Sequence, residues 1–199
     1  MHIAIFGCGQ LAQMTAQAGL KLGYTFSFIA DPKEDVRCVD GLGNIVTYSS
    51  AMSAEALFLA LGSPEVITVE KEMVDAELLA ALQSHAKIYP NDNAIYLSQN
   101  RIREKNFLRH NGIPTADFEI IETQTQLDSL PERLGLPIYI KAAESGYDGY
   151  NQWRIKTAED LAQVTLSDQV QLIAEKHVNY TREISVIAAR NANGDIAYY

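Results

Sequence analysis

The sequence has few of the residues that build metal centres or disulfide frameworks. It contains only two cysteines, Cys8 and Cys38, and four histidines scattered along 199 residues. Two cysteines this far apart match no zinc-ligand spacing, and so low a content is typical of a reducing compartment. We therefore expect a cytoplasmic protein without a metal site built from histidine or cysteine.

Long apolar runs and positive charge are also scarce. No run approaches the roughly 20 apolar residues that cross a bilayer, and residues 1–6 are too short and uncharged for a signal peptide. The 16 basic and 25 acidic residues leave a net charge of −9, whereas nucleic acids and anionic membranes are bound by concentrated positive charge. We expect neither as a partner. The hydrophobic content of 47% is ample for buried cores, in one large domain or two small ones.

The first ninety residues alternate between strand-like and helix-like patterns. Apolar strand patterns cover residues 2–6, 24–30, 44–48 and 66–70. Apolar residues at helical spacing lie between them, first at Leu11, Met14, Ala18 and Leu22 and then at Ala54, Leu57, Phe58 and Leu61. A further helix is expected over residues 74–86. Strands that alternate with helices favour a doubly wound α/β domain with a parallel sheet.

A glycine turn, containing Gly7 and Gly9, joins the first strand to the first helix. Glycine permits the sharp turn, and the exposed N-terminus of the following helix can bind an anion. With Ala12, and with Asp31 at the end of the next strand, the turn also fits the Gly-x-Gly-x-x-Ala pattern of dinucleotide-binding domains. An NAD-binding Rossmann protein is therefore an alternative interpretation.

Two pairs of charged residues in this half are placed to contact a ligand. Glu70 and Lys71 follow a strand, and ligands bind at the carboxyl ends of strands in open α/β sheets. A charged helix is expected over residues 94–111, in which Arg101 and Lys105 share one face and could hold a phosphate between them. Solvated surface charges are the alternative in both cases.

The pattern changes after Gly112 and Pro114, which end that helix and mark a predicted boundary between domains 1–112 and 113–199. The second domain reads as a small α+β module with antiparallel strands. Its expected elements are strands over 118–121, 138–141, 152–156 and 171–178, helices over 125–134 and after Thr157, and a hairpin of 182–190 with 195–199.

Lys141 ends a buried strand and is followed by a loop that contains Gly146 and Gly149. A buried ammonium is costly unless it meets an anion, and glycines let backbone N–H groups approach one. A lysine strand, a flexible glycine loop and a returning strand together predict a lid that closes over a nucleoside triphosphate. An ordinary hairpin with a solvated lysine is the alternative.

Five motifs follow one another along almost the whole chain. They are Gly7-x-Gly9-Gln10-Leu11-x-x-Met14; Gln99-Asn100-Arg101-x-x-Glu104-Lys105-x-Phe107-Leu108; Lys141 with Gly146-Tyr147-Asp148-Gly149-x-x-Gln152; Glu175-Lys176-x-Val178; and Arg182-Glu183-Ile184-Ser185-Val186. In this order they resemble the ATP-grasp superfamily, and within it the family of N5-carboxyaminoimidazole ribonucleotide synthetases. The resemblance implies a pre-ATP-grasp domain followed by an ATP-grasp lid subdomain, with the C-terminal ATP-grasp half missing.

The resemblance also implies which residues bind ATP. Arg101 and Lys141 would contact the phosphates, the segment at Glu175 would bind adenine, and Glu183 would bind the ribose. The full implied set is Arg101, Lys141, Gly146, Tyr147, Asp148, Gly149, Tyr150, Asn151, Gln152, Glu175, Lys176, His177, Val178 and Glu183.

A second implied ligand is 5-aminoimidazole ribonucleotide. It would contact Gln10, Leu11 and Glu70 in the first domain, and Tyr147 and Asp148 in the lid. The implied reaction is a ligase step of purine biosynthesis, in which ATP activates bicarbonate as carboxyphosphate and the substrate amine attacks the carboxyl group or the CO2 that it releases. Mg2+ would bridge the phosphates, and related enzymes are commonly dimers.

The chain departs from the family pattern at several positions. Tyr150 and Asn151 stand where the family usually has Lys or Arg and then Gly, Ala12 and Gln13 replace Gly-Arg, and Val69-Glu70-Lys71 replaces an aromatic or Thr, then Glu and Asn. The family's Mg2+ ligands lie in the missing half, so we expect no metal ligand in this chain and little or no turnover from these residues alone. A noncatalytic nucleotide-binding remnant is therefore a further alternative.

Overall fold

The computed structural model describes residues 1–144, 151–167 and 170–199. They form two compact units, Met1–Thr115 and Ala116–Tyr199, called here the N-terminal and C-terminal units. Within the residues that the structure describes, no helix is long and apolar enough to cross a membrane.

The N-terminal unit is built on a parallel sheet. Its strands are β1 (His2–Phe6), β2 (Thr25–Ala30), β3 (Asn44–Thr47), β4 (Val66–Val69) and β5 (Lys87–Tyr89), in the order β3-β2-β1-β4-β5. All four pairings are parallel. The strand order reverses between β1 and β4, so the doubly wound fold expected from the sequence is confirmed.

Helices cover both faces of this sheet. They are α1 (Gln10–Leu20), α2 (Ala54–Ala60), α3 (Ala76–Leu82), α4 (Asp92–Ser98) and α5 (Arg101–His110), with a 3-10 turn at Arg37–Val39. Side chains alternate between the two faces of a strand. Ile5 accordingly packs in a cluster with residues of α1, whereas Ala4 and Phe6 pack with residues of α2 and α3. Two cores therefore form, one on each face.

Helix α1 buries a different face from the one its large apolar residues predict. Its buried residues are Ala12, Ala16 and Gly19, whereas Leu11 and Met14 are 62% and 63% exposed. The cause is close packing on the sheet, because a Cβ added at Gly19 would lie 2.4 Å from a ring carbon of Phe26. The helix predicted from the spacing of Leu11, Met14, Ala18 and Leu22 is present, but all four of these side chains are exposed.

The structure has two helices, α4 and α5, where a single charged helix was expected over residues 94–111, so that expectation is wrong. The chain leaves the helical conformation at Asn100, which has φ −135° and ψ 119° and lies between α4 and α5. The side chain of Asn100 caps α5, accepting hydrogen bonds from the N–H groups of Ile102 and Arg103 at 2.9 and 3.1 Å. A buried asparagine that satisfies two N-terminal donors ends one helix and starts another.

The C-terminal unit is an antiparallel sheet with helices on one face. Its main elements are β6 (Phe118–Ile121), α6 (Gln124–Leu134), β7 (Ile138–Ala142), β8 (Gln152–Ile155), a 3-10 helix (Ala158–Gln163) and β9 (Leu172–Lys176). The strand order is β6-β9-β7-β8, and every pairing is antiparallel. The predicted α+β module is confirmed.

A separate two-stranded hairpin, β10 (Ala188–Arg190) and β11 (Ile196–Tyr198), follows. The strand expected from residue 182 begins only at Ala188, so this expectation is wrong for 182–187. Ile184 and Val186 are exposed there. Their alternation has the period of a strand, but a strand also needs hydrogen-bonded neighbours along its length, and the structure assigns no strand before Ala188. The pairing ends where the Tyr199 N–H donates to the Ile187 carbonyl at 2.9 Å.

Candidate functional site

The first candidate site lies at the carboxyl ends of β1 and β4, where the strand order of the N-terminal unit reverses. The N–H of Glu70 donates to the carbonyl of Phe6 at 2.8 Å, which ties the end of β4 to that of β1. Gly7 has φ +114°, a conformation that L side chains rarely adopt. Glu70 therefore lies at the carboxyl end of β4, as its apolar run predicts, and the structure adds that it is next to the glycine turn.

The carboxylate of Glu70 fills the space above the glycine turn. A Cβ added at Gly7 would lie 2.2 Å from its Oε2, and one added at Gly9 would lie 2.5 Å from its Oε1. Both glycines therefore leave room for this carboxylate at the start of α1. Gln10, the first residue of α1, and Leu11 beside it are exposed at the same end of the unit.

A second carboxylate, that of Glu34, contacts the turn directly, although Glu34 is not among the predicted site residues. Its Oε1 accepts the Cys8 N–H at 2.8 Å and its Oε2 accepts the Asp31 N–H at 2.9 Å. The available signal was its position just beyond β2, at the sheet edge where ligands bind in such folds.

Lys71 completes this cluster of charged groups. Its ammonium donates to Asp31 Oδ2 at 2.6 Å and forms an ion pair with Glu34. Burial alone would lower the pKa of Lys71, but the hydrogen bonds to the two carboxylates outweigh it and raise the pKa above its ordinary value.

This geometry opposes the dinucleotide interpretation. A dinucleotide phosphate would approach the N–H groups of the glycine turn, where Glu34 already accepts from Cys8. Asp31, the expected ribose-binding acid, is paired with Lys71.

The thiol of Cys8 lies in the same acidic environment. Its pKa is raised to about 12, mainly by burial and next by the charge of Glu34.

The second candidate site lies on the sheet of the C-terminal unit. One sheet face packs under α6, with Ile138, Ile140 and Ala174 in its core. Because neighbours alternate, Tyr139 and Lys141 project from the other face, and in the register Tyr139 lies opposite Glu175.

Lys141 and Glu175 form the central contact of that face. Lys141 Nζ lies 3.0 Å from Glu175 Oε2, and the two side chains are only 24% and 12% exposed. These are two of the residues that the family resemblance assigns to ATP, one to the phosphates and one to the adenine. The structure thus brings together two residues that are 34 positions apart in the sequence.

An aromatic and cationic group surrounds the pair. The rings of Tyr139 and His177 are tilted, with centroids 5.7 Å apart, and the Arg154 guanidinium lies 5.7 Å from the Tyr139 ring. His177 belonged to the expected set, whereas Tyr139 and Arg154 were missed. The strand register could have found them, since Tyr139 and Arg154 are cross-strand neighbours on the face that carries Lys141.

The other expected ATP residues are more dispersed. Lys176 lies on the opposite side of β9 from Glu175, and its nearest acidic group is Asp117 at 3.9 Å. Val178 and Glu183 are exposed beyond β9. Arg101, partly buried at the start of α5, belongs to the N-terminal unit.

Residues 151 and 152 border the predicted lid. Gln152 lies opposite Lys141 in the register, and Asn151 has φ +53° with its carbonyl accepting from the Ala142 N–H at 2.9 Å. The remaining predicted lid residues, Gly146, Tyr147, Asp148, Gly149 and Tyr150, lie outside the residues that the structure describes.

Among the described residues, no group of three or more acidic, histidine or cysteine side chains could hold a metal ion. These residues therefore do not fit a Mg2+ site by themselves, and no chemical step is assigned to a metal here.

Two family models match adjacent parts of the chain. The ribonucleotide synthetase preATP-grasp domain matches residues 1–99, and the ATP-grasp domain matches residues 106–199. The chain therefore belongs to the ATP-grasp superfamily, as its parallel sheet and its lysine-bearing antiparallel sheet also indicate.

Within that superfamily the chain is similar to N5-carboxyaminoimidazole ribonucleotide synthases. It is 34% identical to the enzyme of that name from Aquifex aeolicus, and the alignment covers 100% of this chain and 52% of the enzyme. The chain spans about half the length of the curated relatives that it matches.

Solved structures give the same result. An N5-carboxyaminoimidazole ribonucleotide synthetase in complex with ADP matches with a TM-score of 0.87 and 29% identity, covering 100% of this chain and 52% of the other. The Aspergillus clavatus enzyme in complex with ADP and 5-aminoimidazole ribonucleotide matches with a TM-score of 0.81 and 25% identity, with the same coverage.

Proposed function

We propose that this chain is the part of an N5-carboxyaminoimidazole ribonucleotide synthase that binds ATP and 5-aminoimidazole ribonucleotide. The reaction is the ATP-dependent carboxylation of that ribonucleotide by bicarbonate in purine biosynthesis. The observation that carries the proposal is the Lys141–Glu175 pair on the polar face of an ATP-grasp sheet. A cytoplasmic location, a homodimer and a functional division into domains 1–112 and 113–199 belong to the same proposal.

The chemistry proceeds in two displacements. A bicarbonate oxygen attacks the γ-phosphorus of ATP, and ADP leaves. The substrate amine then attacks either the carboxyl carbon of carboxyphosphate or the CO2 that it releases; inorganic phosphate leaves and the amine loses a proton. Such reactions depend mainly on positioning and charge neutralisation. Lys141 supplies one cation for this purpose, and a phosphate group of ATP competes with Glu175 for its ammonium.

In the N-terminal unit, Glu70 is the acceptor that the proposal assigns to the ribonucleotide. Its carboxylate lies beside the glycine turn, where it can accept hydrogen bonds from hydroxyl or amine groups. Gln10 and Leu11 at the start of α1 add exposed polar and apolar surface at the same end.

The test is a calorimetric titration of the chain with ATP. Lys141→Met is expected to weaken binding by about 1–3 kcal/mol, because it removes a charge-assisted contact to phosphate. Lys21→Met is the matched control, since Lys21 is an exposed lysine at the end of α1 and belongs to neither candidate site. Its ATP affinity is expected to equal that of the wild type.

Two results would contradict the proposal. One is a folded wild-type chain that does not bind ATP, and the other is an equal loss of affinity in both lysine variants. A parallel titration with 5-aminoimidazole ribonucleotide tests the second ligand, and Glu70→Gln is expected to weaken that binding alone.

A further inference from the structure

Glu34 joins three segments at the carboxyl edge of the parallel sheet. One carboxylate oxygen accepts from the Cys8 N–H in the glycine turn, and the other accepts from the Asp31 N–H after β2 and pairs with Lys71 after β4. The side chain is only 17% exposed. Both of its oxygens are therefore committed to protein donors.

This arrangement puts a protein carboxylate where a glycine turn ordinarily presents N–H groups to an anion. In phosphate-binding turns, the N–H groups at the start of the helix point at the ligand. Here Glu34 accepts one such N–H, and the Glu70 carboxylate lies against Gly7 and Gly9. An incoming phosphate would have to displace the first carboxylate and approach the second, and like charges at such short range repel each other.

The same contacts determine which group faces a ligand. Lys71 is the residue after Glu70, and its ammonium is fixed by Glu34 and Asp31. With Lys71 held on one side, Glu70 keeps its carboxylate in the space that the two glycines leave open. Glu34 therefore acts on the ligand through its neighbours.

We propose that Glu34 is a specificity-determining, positioning residue of the glycine turn. Its carboxylate takes the place of a bound phosphate and leaves Glu70 as the group offered to ligand. The turn consequently selects hydroxyl- or amine-bearing groups and rejects phosphates, including those of dinucleotides. Only the statement that Glu70 binds the aminoimidazole ribonucleotide rests on the proposed function.

The direct test uses inorganic phosphate and the amide signals of Cys8 and Gly9 in ¹H–¹⁵N spectra of the full chain. In the wild type, the chemical shifts of these two amides are expected not to reach saturation as phosphate is added. In Glu34→Ala they are expected to shift with phosphate, with an affinity at least about tenfold above that of the wild type, because one repelling charge is gone and the Cys8 N–H is released. A gain of binding cannot result from a merely weakened fold.

Two variants make the experiment specific. Glu34→Gln keeps an acceptor for the Cys8 N–H but removes the charge, so it preserves the turn if Glu34→Ala does not fold, and a smaller gain is expected. Glu72→Ala removes the same charge from an exposed residue next to Lys71 and is expected to behave as the wild type. The proposal is overturned if the wild-type amides saturate, if neither Glu34 variant gains phosphate binding, or if Glu72→Ala gains as much.

A second titration with 5-aminoimidazole ribonucleotide separates this inference from the proposed function. Phosphate binding gained by Glu34→Ala, in a chain whose wild type does not bind the ribonucleotide, would reject the proposed substrate and retain the role of Glu34. If the wild type binds the ribonucleotide but neither Glu34 variant gains phosphate binding, the role of Glu34 is rejected and the proposed substrate is retained.

Discussion

The two units use glycine-containing loops in opposite electrostatic settings. In the N-terminal unit, the glycine turn is bordered by the carboxylates of Glu34 and Glu70. In the C-terminal unit, the strand that leads to the predicted glycine lid carries a lysine, Lys141, held by Glu175. The comparison teaches that a glycine pattern gives the backbone its conformation, whereas the charged side chains around it decide which ligand it accepts.

The largest expected effect comes from filling the space that the N-terminal turn leaves for Glu70. Gly7→Ala should lower the free energy of unfolding of this unit by about 2–4 kcal/mol, because it adds both an unfavourable φ and a clash. Hydrogen exchange of the β1 amides measures it. The control is Gly41→Ala, where φ is +74° but an added Cβ has nothing within 4 Å, so about 1 kcal/mol is expected. Equal losses would show that the close approach to Glu70 has no energetic importance.

The corresponding change in the C-terminal unit removes its central cation. Lys141→Met should destabilise this unit by about 1–3 kcal/mol, because Glu175 is largely buried and loses an ammonium partner. Fluorescence of Trp153, the single tryptophan, follows its unfolding in urea. Arg133→Met breaks the more exposed pair with Glu119 and should cost less than about 1 kcal/mol. A larger loss of stability in Arg133→Met than in Lys141→Met would contradict the importance of burial.

The burial of Cys8, and next the charge of Glu34 beside it, predict that the stability of the N-terminal unit falls at alkaline pH. The pKa of Cys8 is raised from 9.0 to about 12 in the fold, so its contribution to stability is complete below pH 9 and decreases as pH rises from there towards 12. The expected slope is about 1.4 kcal/mol per pH unit within that window. The pKa of Lys71 is raised too, and its contribution likewise decreases only above the ordinary pKa of lysine.

Hydrogen exchange of the β1 amides at pH 8 and pH 10 tests this dependence. Cys8→Ala should remove most of the difference between the two conditions, and Cys38→Ala, the same change at a partly exposed thiol, should leave it unchanged. If Cys8→Ala retained the full difference, the buried thiol would not be its source.

The smallest effect concerns Asn151, where the family pattern usually has glycine. Its φ of +53° lies in the left-handed region, which asparagine tolerates better than most residues. Asn151→Gly should therefore change stability by less than about 0.5 kcal/mol, and Asn151→Ala should cost about 1 kcal/mol. Trp153 fluorescence in urea measures both, and an equal loss in the two variants would mean that the backbone conformation is not the determining factor.

Much of the fold follows from local sequence patterns. Strand β6 has the predicted bounds, and the parallel and antiparallel sheets were both expected. The break at Asn100 was not, because helical patterns lie on both sides of it and a capping asparagine is hard to recognise between them. The buried face of α1 was also missed, since apolar periodicity favours large residues over small ones.

The residues of the candidate sites also fall into two groups, those that sequence patterns predict and those that they do not. Apolar runs predicted that Glu70 lies at the end of β4 and Lys141 near the end of β7, and the structure places both residues there. The position of Glu34 just beyond β2 made it one candidate among several, and Tyr139 and Arg154 had no comparable signal. Their roles depend on which strands are neighbours, and that information exists only once the sheet has formed.

The small-residue face of α1 has a consequence for how this unit can evolve. Ala12, Ala16 and Gly19 allow the helix to lie close to the sheet, so larger side chains at these positions would push the helix outward and disturb the glycine turn at its start. Leu11 and Met14 point into solvent and carry no such constraint from the core. New surface properties can therefore arise on the outer side of α1 by single substitutions, while the inner side remains fixed by geometry.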